Sequence, residues 1–356
     1  MTGLALKSAT SSLVDGNRVP GTELNILFWS CATIRELLSL FMKTNDSATV
    51  NFQPPILRPA TNGLWWGLLG VAAFSFTVPL TRVAVGGMSP LFVGSGRAVI
   101  AALLAGLALA LTQQRLPHGK QWLRLAAIAG GIVVGFPLLT SFALQSVPAS
   151  HGAVVIALMP AATATVAVVR GREHPSKAFW IATVIGALAA IGFAFLQSGS
   201  LGSLSWSDLL LFGAVVAAAI GYAEGGLLAR ELGAWQTVSW ALVLVSPLMV
   251  GLTVFALFLH PISASPVQWA SFAYLGVISM FLGYFAWYRG LAIGPIAQVS
   301  QTQLVQPVLS ICWAALLLGE SLTWATALGG LAIILCAGFA VRVRLNPVRT
   351  RTNTKS

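Results

Sequence analysis

VPASHGAVVIALMPAATATVAVVRGRE (147–173) and GPIAQVSQTQLVQPVLSICWAALLLGE (294–320) are the two stretches whose comparison decides the fold. Shifted by 147 residues, Pro148 falls on Pro295, Pro160 on Pro307 and Glu173 on Glu320, with His151 on Gln298. The letters match weakly, but three fixed anchors within 27 positions mark an internal repeat. Weak internal symmetry of this kind is how duplicated transporter folds show themselves in sequence.

Working outward, each copy sits in a series of long apolar blocks. A bilayer core of about 30 Å needs about 20 apolar residues per helix. Ten segments qualify, near 63–83, 90–112, 122–146, 149–169, 177–197, 206–229, 236–259, 267–290, 295–318 and 322–341. The copies are then spans one to five (62–198) and six to ten (199–342), followed by a basic tail over 343–356. Five is odd, so the second copy enters from the opposite face, and the repeats are inverted in the membrane. The expected fold class is an all-α integral membrane protein of ten transmembrane helices in two inverted five-helix repeats.

Composition agrees. The chain is 57% hydrophobic and 8% charged, where a soluble domain carries about 25% charged residues. The net charge of +11 does not indicate nucleic acid, because most cations sit in short loops and the tail. Arg115, Lys120, Arg124, Arg170, Arg172, Lys177, Arg230, Arg289, Arg342, Arg344, Arg349, Arg351 and Lys355 all belong to even-numbered connections or the C-terminus. That bias places both termini in the cytoplasm. Trp65, Trp66, Trp122, Trp180, Trp206, Trp235, Trp269 and Trp324 each open a span, where interfacial indoles belong. Cys31, Cys312 and Cys336 are too few and scattered for a disulfide framework or metal cluster, and no P-loop occurs. No cofactor is expected.

Residues 1–61 stand outside the pattern. LNILFWSCATIRELLSLFMK (24–43) is interrupted by Arg35 and Glu36 and reads as a mobile tail or a helix lying on the membrane. Translation starting at Met42 is a further expectation, checked by N-terminal sequencing of the natural protein.

Polar and helix-breaking residues inside the spans point to a cavity. Pro160 and Pro307 sit near the middle of spans four and nine, and each removes a backbone donor. Freed carbonyls are tolerated at that depth where they face protein or water. Glu224 interrupts AAAIGYAEGGLLARELGAW (217–235), about 9 Å along the axis from Arg230. It reads either as a proton or substrate-amine site, desolvated by the close packing that Gly221, Gly225 and Gly226 allow, or as a carboxylate that leans toward the cytoplasmic headgroups or pairs with a neighbouring helix. On the first reading Glu224→Gln folds and loses proton-dependent transport. Arg97 lies two turns into span two and needs a carboxylate, carbonyls or water; it either anchors the bundle or binds a substrate carboxylate. Arg82 reads as an interfacial anchor. Gln298, Gln301 and Thr302 share one face of span nine. Tyr222, Tyr284, Trp287 and Phe142 can wall the same cavity or simply pack helices.

With these residues in place, the chain resembles the EamA-type members of the drug/metabolite transporter superfamily. GSGRAVIAALL (94–104) and GLAIGPIAQVSQTQLVQPVLSICWAALLLGESLTWATALGGLAIILCAG (290–338) carry the likeness, which spans roughly 62–342. Its most specific part is the closing signature at Pro307, Gly319 and Glu320; the first copy departs from it, with RGRE where LLGE would match. The resemblance implies export or exchange of small metabolites such as amino acids, with the substrate cavity between the halves. Low charge in the spans favours a neutral or zwitterionic solute over a polyanion. An importer and a nucleotide-sugar-type carrier are the alternatives. A membrane enzyme is remote, since His118, His174 and His260 lie in loops, His151 stands alone at a span start, and Asp208 is at an edge. Expected partners are a small-molecule substrate, the lipid bilayer and protons, with the chain a monomer or homodimer.

Overall fold

The structure, a computed structural model, describes residues 61–171, 177–197, 205–293, 299 and 302–345. The N-terminal segment, Glu173, Pro295 and the cavity residues Gln298 and Gln301 lie outside them. Ten helices follow one another at the expected places. Seven are long and apolar enough to cross a membrane: α1 (Gly63–Ala84), α2 (Pro90–Thr112), α3 (Lys120–Ser146), α4 (Ala149–Arg170), α6 (Trp206–Leu232), α7 (Ala234–Leu259) and α8 (Pro266–Ile293). Three carry shorter apolar windows: α5 (Lys177–Gln197), α9 (Thr302–Leu318) and α10 (Trp324–Leu345).

The packing partners reveal the inversion. α2 packs on α7, α4 on α9 and α5 on α10, while α1 packs on α8 and α6 on α3. Advancing every helix by five returns the first three pairs to themselves and exchanges the last two. That is a two-fold relation, and five spans per half place its axis in the membrane plane. Close approach makes the exchanged pairs possible. A Cβ added at Gly131 of α3 would lie 2.3 Å from the Ala217 carbonyl of α6, and one at Gly290 of α8 would lie 2.8 Å from the Gly67 nitrogen of α1. Small residues let helices touch backbone to backbone in lipid.

The spans are not uniform cylinders. α1 breaks at Phe76, between Thr61–Ser75 and Thr77–Ala84. Pro79 explains it, since its missing N–H orphans the carbonyl four residues earlier, at Ser75. Ser310 of α9 donates to that carbonyl at 2.7 Å and Trp313 Nε1 donates to the Ser75 hydroxyl at 3.0 Å, so the other repeat satisfies the break. α4 breaks at Ala157–Leu158, just before Pro160. α9 passes from a 3-10 turn at Thr302–Leu304 into α-helix at Val305, just before Pro307. These two breaks fall at matching places in the copies. So do two π-helical turns, Ala129–Gly135 in α3 and Leu275–Leu282 in α8. Pro137 accounts for the first; no proline accounts for the second.

Faces away from the bundle expose Leu103, Phe255, Phe258, Leu316 and Leu331, an apolar surface suited to lipid. Trp65, Trp206 and Trp324 are exposed at helix starts, as interfacial indoles should be. Trp235 departs from that expectation: it is 2% exposed and packs on Phe285 at 6.2 Å between ring centroids.

Candidate functional site

The described residues place three polar constellations along the interface between the repeats: one in the middle and one at each end. The middle one is built around Arg97. Ser89 caps α2 by accepting from the Phe92 N–H at 3.2 Å, and Pro90 takes the first helical position. That start fixes Arg97 about two turns into the helix. Its side chain is 2% exposed. Its terminal nitrogens donate to the Thr81 and Thr140 hydroxyls at 3.4 and 3.3 Å, the long limit of a hydrogen bond. Its Nε has no partner. Among the described residues no carboxylate pairs with it. A buried ion costs several kcal/mol unless compensated, and arginine cannot discharge itself.

Arg97 faces a narrow crevice walled by both repeats: Thr77 of α1, Ile132 and Phe136 of α3, and Ser279, Met280 and Tyr284 of α8. Both π turns therefore supply wall residues. Tyr284 continues into an aromatic group, with Phe74 at 4.9 Å, Tyr222 at 6.1 Å and Tyr288 at 6.0 Å between ring centroids; Trp287 lies 5.8 Å from Tyr222. The Tyr288 hydroxyl donates to the Gly221 carbonyl at 3.0 Å, whereas Trp287 Nε1 is buried without a partner. The structure thus brings Arg97, Tyr222, Tyr284 and Trp287 together. Thr302 is buried and donates to the Val299 carbonyl at 2.7 Å. Gln303, beside it, is another of the polar residues that make span nine unusual in sequence; it is 2% exposed and both its amide atoms lack partners.

Glu224 lies elsewhere, at the end of the bundle where α2 ends and α3 begins. It accepts from Arg124 Nε of α3 at 3.1 Å and from Arg170 Nε of α4. Arg124 also pairs with Glu231, about two turns further along α6. Of the two sequence readings, pairing with neighbouring helices is the one the contacts support. The arginines come from sequence positions far from Glu224, so periodicity along α6 could not reveal them.

The opposite end holds a third constellation. His151 Nε2 of α4 and Asp208 Oδ1 of α6 lie 2.7 Å apart, 5% and 1% exposed. The lone histidine and the edge aspartate of the sequence are thus a pair. Asp208 also closes a capping box with Ser205. Glu320 accepts from the Ala149 and Ser150 N–H groups at 2.7 and 2.9 Å, capping α4 from the other repeat. Gly319 makes this possible, since its φ of 67° turns the chain back where a side chain would be strained. Arg82, read as an interfacial anchor, donates to the Leu144 and Gln145 carbonyls, both at 2.6 Å, and closes the end of α3. Phe142, read as a wall of the central cavity, is 42% exposed and lines a separate cavity of about 470 Å³ at this end, with Met88, Gln145, Leu259 and His260. It stands one full turn and more beyond Phe136, too far along α3 to reach the crevice.

Ten helices among the described residues, arranged as inverted repeats, have the architecture of a multi-pass membrane transporter. The EamA-like transporter family model matches residues 61–195 and 205–342, one match per repeat, and the chain belongs to that family. The uncharacterized transporter YdeK of Bacillus subtilis is 43% identical over 294 residues, 80% of this chain and 99% of its own. An uncharacterized transporter of Archaeoglobus fulgidus is 23% identical over 227 residues, 61% of this chain and 75% of its own. A solved crystal structure that is 16% identical shares the fold, with a TM-score of 0.56 over 79% of this chain and 98% of that one. Both named relatives are transporters by name.

Proposed function

We propose that the protein is a secondary transporter that exports or exchanges a small metabolite bearing a carboxylate, an amino acid or a similar neutral or zwitterionic solute. The observation that carries this reading is Arg97: a fully buried guanidinium in the crevice between the repeats, held by two long bonds to threonine and by no carboxylate among the described residues. A solute carboxylate would supply the missing charge through a two-point contact. Tyr222, Tyr284 and Trp287 would enclose its apolar part. Pro160 and Pro307 would let α4 and α9 flex as one repeat rocks on the other. The cation bias supports a cytoplasmic Glu224 end, and the family resemblance supports a bacterial inner membrane.

The test is expression of the wild type, Arg97→Gln and an empty vector in bacteria, with metabolite profiling of medium and cell extract. A carboxylate-bearing solute enriched outside with wild type alone names the substrate class and establishes export. Equal export by wild type and Arg97→Gln would remove Arg97 from the substrate site. No difference between wild type and empty vector would turn the assay to uptake and the import reading.

A further inference from the structure

The two ends of the repeat interface are fastened by different chemistry. At the Glu224 end the fastening is arginine to carboxylate, Arg124 and Arg170 of the first repeat to Glu224 of the second. Such groups keep their charge across the physiological range. At the other end it is imidazole to carboxylate, His151 of the first repeat to Asp208 of the second. An imidazole ordinarily changes charge between about pH 5 and 8.

The surroundings make the pair the place where a proton would count. Both side chains are buried. Around α4's first turn, α9 and its following loop bring Glu320, α1 brings Arg82, and α6 brings Asp208. Glu320 is occupied by the Ala149 and Ser150 N–H groups, and Arg82 by the Leu144 and Gln145 carbonyls. With His151 neutral, the pair is an imidazole hydrogen-bonded to a carboxylate and carries one net negative charge. One added proton makes it an imidazolium–carboxylate ion pair with no net charge. In a low-dielectric site that attraction is far stronger than in water.

We propose that His151 and Asp208 are a proton-binding latch between the repeats, tightened by protonation and loosened by its loss, at the end opposite the arginine fastening. In a transporter that rocks one repeat on the other, a proton taken up there favours closure of that end. This consequence rests on the transport reading; the latch itself does not.

The experiment needs no solute. Cys31, Cys312 and Cys336 are replaced by serine, and spin labels are placed through Ser146→Cys and Ser263→Cys, both exposed at this end and on different repeats. The inter-label distance distribution in lipid nanodiscs is measured at about pH 8 and about pH 5.5, the window in which imidazole titrates. The expected result is a shift to shorter distances at the lower pH, lost in both His151→Gln and Asp208→Asn, with a ¹⁵N-histidine signal absent from His151→Gln titrating in parallel. Asp208→Asn retains an acceptor for the Ser205 cap, so it reports even where His151→Gln does not fold. An unshifted distribution in the parent protein, or an equal shift in either folded variant, overturns the proposal. Neither result touches Arg97, and a failure of solute export leaves the latch standing.

Discussion

At the scale of single residues, Arg97 offers a discriminating prediction because the two roles open to it have opposite signs. If it anchors the bundle, removing it lowers both stability and transport. If it is an uncompensated charge awaiting a carboxylate, Arg97→Met relieves a desolvation cost and fills the space with apolar volume, an exchange that is often neutral or stabilising by about 1–4 kcal/mol. The expected outcome is a melting temperature in detergent equal to or above wild type, with transport abolished. Glu320 predicts the reverse. Glu320→Ala strips α4 of two charge-assisted caps and should cost about 1–2 kcal/mol of stability, read as a lower melting temperature, with Glu320→Gln intermediate. Arg97 was legible in sequence as a charge that needed an explanation. The function of Glu320 was not: its partners lie 170 and 171 positions away, and nothing local to Gly319 and Glu320 says what they reach.

At the scale of elements, the spans and their order were legible because apolar length is written along one chain, and the described helices fall within a few residues of their expected places, apart from the start of span nine, which lies outside the described residues. The breaks at Pro160 and Pro307 were legible too, since proline acts on its own helix. The π turns were not, because hydropathy does not distinguish one helical hydrogen-bond pattern from another. The break in α1 belongs between these cases, for Pro79 is visible but its remedy, Ser310, is on another repeat. That contact predicts a coupling. Ser310→Ala should cost about 1–2 kcal/mol, because it orphans a buried carbonyl. In Pro79→Ala the restored N–H can take that carbonyl back, so Ser310→Ala should then cost little. A double-mutant cycle by thermal unfolding in detergent checks this; two costs that simply add would show that Ser310 does not compensate the break.

At the scale of the whole molecule, the α4–α6 contact is fastened at both ends, by His151 to Asp208 and by Arg170 to Glu224. About 24 Å of α6 separates the two fastenings along the axis. On the proposed rocking of one repeat against the other, one of them has to release, so the arginine fastening predicts how its end behaves when cut. Among the described residues, Glu224→Gln leaves Arg170 with no carboxylate and Arg124 with Glu231 alone, two guanidinium groups facing one amide. Their repulsion and lost attraction should spread the repeats at that end. Spin labels at His118→Cys and Ile293→Cys, both exposed and on different repeats, should show a longer-distance population in Glu224→Gln than in the parent protein. Adding Arg124→Gln and Arg170→Gln removes the repulsion while leaving the attraction absent, so the triple variant should fall between the two. If Glu224→Gln keeps the parent's distribution, apolar packing rather than charge holds that end closed. If the triple variant spreads further than the single one, the arginines help closure through contacts other than Glu224, and the fastening is wider than the three residues assigned to it.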